Sequence, residues 1–178
     1  MIKNTSMVSE KDILDHLYVQ NYKSPIGDLC LAASKKGLKW IKMVKEYIPV
    51  NKPNIHTTLA VNQLEMYFMG NLQEFDLIYD LDEYSDFSKR VWSQLQLIPF
   101  GKTITYKQLA KQLGDIKCIR AAGTANGRNP IPIIIPCHRV IGSDGGLTGF
   151  ALGIDIKKQL LLLENPGKFS INQMSIDF

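Results

Sequence analysis

The sequence predicts an α/β (α+β) protein of 178 residues, divided into two small domains. Short apolar runs separated by glycine and proline turns continue up to residue 79, a pattern typical of β-hairpins. Beyond residue 84, apolar residues recur at helical spacing instead. Three β-branched residues, Ile133–Ile135, then lead through Pro136 into Cys137, which predicts a buried strand that presents a thiol at its end.

Residues 1–83 are predicted to form a small mixed sheet with one helix. Strands over 17–22 and 29–33 flank a Pro-Gly turn, which favours a hairpin. The pattern continues with a strand over 38–41, a loop over 49–53, a helix over Thr58–Met69 that ends at Gly70, and a strand over 75–79.

An acidic stretch over 80–86 interrupts these patterns and is predicted to link the two domains. We place the boundary after residue 83. Residues 84–166 then form the second domain, and residues 167–178 form a C-terminal tail.

The second domain begins and ends with a predicted amphipathic helix. The first carries its apolar face from Phe87 to Ile98, with Ser85 or Asp86 as the cap and Pro99 as the end. The last follows a glycine-rich loop over 142–149, and its expected features are a cap at Asp155, inward-facing Ile156, Leu160 and Leu163, and an end at Asn165-Pro166.

Two shorter helices are predicted between them. A T-x-x-Q capping box at Thr105 begins one, which stops at Gly114, and the small residues of 116–126 form the other. Such a pair is either a DNA-binding helix-turn-helix or an ordinary helical hairpin, and the pattern alone fits both.

Composition bounds the class of protein. A hydrophobic share of 45% is normal for a globular chain and excludes disordered or collagen-like classes. No apolar stretch approaches roughly 18 residues and no signal-peptide pattern is present, so a soluble, cytoplasmic protein is expected. Three widely spaced cysteines are too few for a disulfide framework, and without C-x-x-C or H-x-x-x-H spacing neither a metal nor a cofactor is implied.

The formal net charge of +4 is unevenly divided along the chain. Residues 1–87 contain nine Lys and Arg against twelve Asp and Glu, whereas residues 88–164 contain eleven against four. The half that contains Cys137 is therefore basic. This charge fits either phosphate attraction in a nucleic-acid-binding protein or an ordinary solvated surface.

Cys137 is the candidate nucleophile. The thiolate is the reactive form, and with an ordinary pKa of ~8.5 only a few per cent of a thiol is ionised near neutral pH. His138 and Arg139 are the nearest groups that can take the proton or lower the pKa of the thiol. Cys30 and Cys118 are expected to be small apolar side chains.

Three short motifs around this cysteine resemble the O6-alkylguanine-DNA alkyltransferase family. They are Gly127–Pro130, Pro136–Val140 and Gly146–Gly149. The similarity extends over residues 84–165 and is weaker at the Ser24–Gly27 hairpin. It implies a ribonuclease-H-like N-terminal domain and a winged-helix-like helix-turn-helix C-terminal domain.

The resemblance implies an irreversible SN2 transfer of the alkyl group from guanine O6 to Cys137, once per molecule. The partner would be double-stranded DNA that contains O6-alkylguanine, bound by a monomer that flips the damaged base out of the helix. The family's relay would comprise Cys137, a water, His138 and Glu164, although a solvated helix-end carboxylate is the ordinary role of a residue such as Glu164. Other charges, those of Arg139, Lys157 and Lys158, are taken as structural or surface groups.

DNA contacts follow from the same resemblance. Arg120 matches the finger that fills the gap in the base stack, and the small side chain of Ala121 lets the helix approach the minor groove. Tyr106 matches the tyrosine that presses on a phosphate and donates a proton to the leaving guanine, or is a half-buried aromatic. Asn129 would tie the helix-turn-helix to the active-site strand, or form a turn. Arg128 is either a phosphate contact or a solvated loop residue.

The pocket for the flipped base is assigned to five residues: Ile135, Val140, Phe150, Ala151 and Leu152. Phe150 and Leu152 depart from the Tyr and Gly that are frequent in the family. We therefore expect a narrower, less polar pocket that favours methyl over benzyl-sized groups.

Three other functions compete with alkyl transfer. A non-catalytic DNA- or lesion-binding winged-helix module would bind without consuming a thiol. A transcription regulator would bind a fixed sequence, and a cysteine hydrolase would turn over many substrates.

Overall fold

Three antiparallel strands open the fold in the computed structural model, which describes residues 17–45 and 52–169. The predicted hairpin is confirmed, with longer strands than expected. The bounds are β1, Tyr18–Ser24; β2, Gly27–Ala33; and β3, Leu38–Met43. The predicted loop over 49–53 lies mostly outside the described residues.

Helix α1, Ile55–Phe68, packs on this sheet and begins three residues before the predicted start. Asn54 is its cap: its side chain accepts a hydrogen bond from the Thr57 amide at 3.0 Å, and the Asn54 amide donates to the Thr57 hydroxyl at 3.0 Å. The prediction missed this box because Thr57 stands where Glu or Gln is usual. The inner face of α1 buries Ala60, Val61, Leu64 and Tyr67.

The strand predicted over 75–79 is wrong. Among residues 17–45 and 52–169 it forms one bridge, between Leu38 and Tyr79, where the Leu38 amide donates to Ile78 O at 2.8 Å. Gly37 explains the close approach, because a Cβ there would lie 2.7 Å from Ile78 O. The segment runs beside β3 without joining the sheet.

The second half contains the predicted helices with shifted ends. Helix α2, Asp86–Gln96, has Ser85 as its cap, and α3, Tyr106–Gln112, has the predicted capping box at Thr105. The single helix predicted over 116–126 is instead a 3-10 turn, Ile116–Cys118, followed by α4, Ile119–Gly127, because the Asp115 side chain caps the Lys117 amide and starts a tighter turn.

The last helices are α5, Ile154–Glu164, and the short α6, Pro166–Phe169. The predicted cap at Asp155 is wrong: Gly153 is the cap residue, and Asp155 lies in the first turn. A carboxylate in the first turn still interacts favourably with the positive end of the helix dipole.

The strand predicted over Ile133–Ile135 is also wrong. The Ile135 amide donates to Ile131 O at 2.9 Å, and Ile133 has a φ of 76°, so the segment is a buried tight turn. Prolines at 130, 132 and 136 lack the amide hydrogens that a strand ladder needs.

Cys137 therefore opens a 3-10 turn, Cys137–Arg139, instead of ending a strand. This turn leads into β5, Val140–Ile141, which pairs in parallel with β4, Ile104–Thr105. The Ile41 amide of β3 donates to Pro130 O at 2.8 Å, so the first sheet is fastened to the segment that carries the cysteine.

One hydrophobic core joins the two halves of the chain. It includes Leu31, Leu38 and Leu64 from the first half and Trp92, Leu95 and Ile133 from the second. Across the described ranges 17–45 and 52–169, no helix is long and apolar enough to cross a bilayer.

Candidate active site

Cys137 lies in the core, with 1% of its surface exposed. Nδ2 of Asn129 donates to Sγ of Cys137 at 3.0 Å and to Ile135 O at 2.7 Å. Oδ1 of Asn129 accepts from the Ile131 amide at 3.0 Å. Because Asn129 lies two residues after the end of α4, one side chain fastens the end of that helix, the buried turn and the thiol together.

Burial raises the pKa of the Cys137 thiol to about 11, although the hydrogen bond from Asn129 and the charge of Lys157 oppose this rise. The resting group is therefore a thiol, since burying a thiolate here costs more than these two interactions return. A proton acceptor must lie close by for the sulfur to react.

His138 and Glu164 meet in the core. Nε2 of His138 lies 2.8 Å from Oε1 of Glu164, and neither side chain is exposed. Burial lowers the pKa of His138, so the ring is neutral. Burial alone would raise the pKa of Glu164, but the hydrogen bonds from His138 and Arg139 and the charge of Arg139 outweigh it and lower that pKa to about 2.

The ionised carboxylate of Glu164 determines the tautomer of His138. An ionised carboxylate only accepts hydrogen bonds, so Nε2 carries the hydrogen and Nδ1 carries the lone pair. Nδ1 is buried and has no hydrogen-bond partner within residues 17–45 and 52–169. The imidazole is thus prepared to accept a proton at Nδ1.

Arg139 neutralises Glu164 and has no direct bond to the thiol. Its Nε donates to Oε2 of Glu164 at 3.0 Å, its Nη2 to Oε1 at 2.9 Å, and its Nη1 to Ile98 O at 2.6 Å. The sequence-based suggestion that Arg139 lowers the pKa of the thiol is wrong, because the guanidinium faces the carboxylate. Its interpretation as a structural charge is confirmed.

Oε2 of Glu164 also accepts from the Gly101 amide at 3.1 Å. Gly101 has a φ of 70°, and a Cβ there would lie 2.9 Å from Glu164 O. A residue without a side chain is therefore needed where this loop approaches the end of α5.

Lys157 is a buried charge near the thiol that the sequence did not predict. It is fully buried, and Nζ donates to Val140 O at 2.6 Å and to Thr148 O at 2.8 Å. Burial lowers its pKa to about 8, while the thiol opposes that change. The available signal was its position seven residues before Glu164, since both lie on the buried face of α5 together with Leu160 and Leu161.

The predicted DNA contacts lie on α3 and α4. Arg120, Ala121 and Arg128 are exposed, whereas Tyr106 is half-buried and donates from its hydroxyl to Thr148 O at 3.2 Å. Nε1 of Trp92 donates to Ala125 O at 2.8 Å and fastens α4 to α2. The helix pair thus presents an exposed basic face with the thiol behind it.

The five predicted pocket residues are not equally accessible. Ile135 and Val140 are buried, Ala151 is exposed, and Phe150 and Leu152 are half-buried. The Phe150 ring stands edge-on to the His138 ring, with centroids 6.2 Å apart. The Phe150 ring thus adds an apolar surface beside the imidazole.

The fold and the site together define a class: proteins that hold a buried cysteine behind a pair of short helices. Comparison with known proteins makes the class specific. The profile of the 6-O-methylguanine DNA methyltransferase DNA-binding domain matches residues 86–166, and that of the ribonuclease-like domain of the same name matches residues 17–81. The chain belongs to the 6-O-methylguanine DNA methyltransferase family.

Individual relatives agree with the profiles. The methylated-DNA–protein-cysteine methyltransferase of Methanosarcina barkeri is 48% identical over 154 residues, which cover 83% of this chain and 97% of the relative. The crystal structure of Mycobacterium tuberculosis O6-methylguanine methyltransferase gives a TM-score of 0.75 at 44% identity and covers 84% of this chain and 93% of its own. A crystal structure of Mycobacterium tuberculosis OGT in complex with DNA gives a TM-score of 0.74 at 45% identity and covers 83% of this chain and 92% of its own.

Proposed function

We propose that the chain repairs DNA by transferring the alkyl group of O6-alkylguanine, chiefly a methyl group, to Sγ of Cys137. Relatives at 43% and 48% identity are named methylated-DNA–protein-cysteine methyltransferase. One observation carries the assignment of the nucleophile: the buried thiol of Cys137 is bound by Asn129, and the next residue, His138, has its Nε2 held by Glu164.

Transfer is a displacement at the alkyl carbon. The C–S bond forms as the bond between that carbon and guanine O6 breaks. The thiol proton passes to Nδ1 of His138, through one water as the family resemblance implies, and the carboxylate of Glu164 stabilises the imidazolium that forms. Tyr106 donates a proton to the departing guanine, which leaves as the unmodified base.

Two interactions favour ionisation of the Cys137 sulfur in this buried site. Asn129 donates a hydrogen bond to it, and the charge of Lys157 lowers its pKa. Both interactions stabilise the thiolate relative to the thiol. They therefore make the transfer of the thiol proton to His138 easier.

DNA binding is assigned to the exposed face of α4. Arg120 fills the gap left by the flipped nucleotide, which costs a few kcal/mol of lost stacking and pairing. Ala121 allows close approach in the minor groove, and Arg128 contacts a phosphate. The complex of Mycobacterium tuberculosis OGT with DNA supports this partner.

The proposal also includes the domain boundaries, the oligomeric state and the cellular compartment. We place the two domains at residues 1–83 and 84–166, followed by a tail over 167–178. We also propose a monomer in the cytoplasm, a reducing compartment that suits the free thiols of Cys30, Cys118 and Cys137.

Stoichiometry tests the proposed reaction. The product thioether has no facile route back to a thiol, so each molecule acts once. With a duplex containing O6-methylguanine in about tenfold excess, chromatography of the digested DNA should show loss of one lesion per protein molecule and then no more. Continued loss of the lesion would contradict the proposal and indicate a hydrolase.

Pocket size gives a second prediction. Leu152 is half-buried beside the covering loop, so Leu152→Gly should open the pocket and increase the rate of inactivation by O6-benzylguanine by about tenfold, the effect of roughly 1.4 kcal/mol of steric cost. The rate on O6-methylguanine duplex serves as the control and should change little. Equal benzylguanine rates in the two proteins would contradict the narrow pocket.

A further inference from the structure

Tyr67 brings the first half of the chain into contact with the relay. It lies on α1, 97 residues from Glu164, and its hydroxyl donates to Oε1 of that carboxylate at 2.8 Å. Oε1 is the same oxygen that accepts from Nε2 of His138. The carboxylate that supports the imidazole therefore receives a hydrogen bond from each half of the protein.

The Tyr67 side chain is fixed in place. It has no exposed surface, and the rings of Phe68, Phe75 and Phe100 surround it with centroid distances of 5.3, 5.4 and 6.0 Å. A Phe would fill the same space, so packing alone does not require the hydroxyl. The hydroxyl has one polar contact among the described residues, and that contact is Glu164.

We propose that Tyr67 is a positioning residue of the alkyl-transfer site, which orients Oε1 of Glu164 toward His138 and limits how strongly that oxygen attracts the imidazole proton. The inference rests on the proposed function. A donor on Oε1 withdraws electron density from it, so His138 becomes a weaker base than it would be with Glu164 alone. The first domain thereby acts on the chemistry of the thiol through one hydrogen bond.

The charges around His138 make this contact effective. Glu164 and Lys157 face the ring from α5, Arg139 follows it in the 3-10 turn, and Cys137 precedes it. Arg139 neutralises Glu164 in a two-point ion pair, with Nη2 on Oε1 and Nε on Oε2, and Tyr67 and His138 are the two uncharged donors to Oε1. Burial, with the nearby Glu164 charge, raises the pKa of Tyr67 far above its usual range, so the hydroxyl stays protonated and only donates.

The test is the pKa of His138 in Tyr67→Phe, followed through its imidazole resonances by NMR on the full chain. The resonance is assigned with a His138→Gln variant. We expect the His138 pKa to rise by about 0.5 or more, since one hydrogen bond to the supporting carboxylate is lost. The pH at which the alkylation rate reaches half its plateau should rise with it, while the melting temperature falls only a few degrees.

Tyr22→Phe is the matched control, because Tyr22 is a half-buried tyrosine of β1 in the same domain. Its His138 pKa should equal that of the unaltered protein. An unchanged His138 pKa in Tyr67→Phe would overturn the proposal, whatever happens to the rate or stability. The NMR titration needs no substrate. Failure to take up methyl groups would therefore refute the proposed function without changing the result for the His138 pKa.

Discussion

Cys137→Ala is expected to abolish methyl uptake from a duplex containing O6-methylguanine while DNA affinity stays within about twofold. The variant loses the only sulfur that Asn129 binds in the described residues, but Asn129 keeps its 2.7 Å bond to Ile135 O and its 3.0 Å bond from the Ile131 amide. The turn that supports α4 is therefore preserved. Transfer is measured with a radiolabelled methyl group, and affinity by fluorescence anisotropy.

Cys118→Ala is the control for this experiment. Cys118 is partly exposed and directly precedes α4, so it is the other thiol near the proposed DNA face. Its variant should take up one methyl group per molecule, as the unaltered protein does. Methyl uptake by Cys137→Ala would show that the nucleophile is assigned to the wrong residue.

Glu164→Gln is expected to slow methyl transfer by 10²–10⁴-fold, the usual size of a general-base contribution. The amide cannot neutralise an imidazolium, so Nδ1 of His138 becomes a poor proton acceptor. Loss of the carboxylate also leaves Arg139 buried without its counter-charge, which should cost about 3–5 kcal/mol of stability. Single-turnover rates are measured well below the melting temperature of the variant.

Glu164→Asp provides the comparison, since it keeps the charge on a shorter side chain. It should recover part of the rate and of the stability. Equal single-turnover rates for Glu164→Gln and the unaltered protein would contradict a role for the carboxylate in the relay.

Acid stability should depend on the same residue. The pKa of Glu164 is about 2 in the folded protein against an ordinary 4.5, so its contribution to stability is complete above about pH 4.5 and is lost as the pH falls toward 2. Linkage then gives a loss on the order of 3 kcal/mol across that range. Urea unfolding at several pH values should show this slope in the unaltered protein and a weaker slope in Glu164→Gln.

Local signals were enough to predict several elements of the fold. Thr105 and Gln108 form the expected capping box, and the Pro-Gly turn joins β1 and β2. The segment before Cys137 could not be read in this way, because Ile133 adopts a φ of 76° that β-branched residues rarely occupy. Only the surrounding core holds it there, so its local sequence still resembles a strand.

The sequence predicted the site residues that lie in family motifs. It did not predict contacts between residues that are distant in the sequence. The family resemblance pointed to Cys137, His138 and Glu164, and the last two are in contact. The burial of Lys157 and the bond from Tyr67 to Glu164 arise from the packing of α5 against the rest of the fold. Such contacts depend on tertiary structure, and no short sequence pattern reports them.

The most direct test of the central claim is the intact mass of the protein after incubation with a duplex containing one O6-methylguanine, followed by peptide mapping. The proposed reaction predicts a gain of ~14 Da, the mass of a methyl group replacing a hydrogen, which saturates at one per molecule and maps to Cys137. An unchanged mass with the duplex still bound would contradict it and indicate a non-catalytic DNA-binding module.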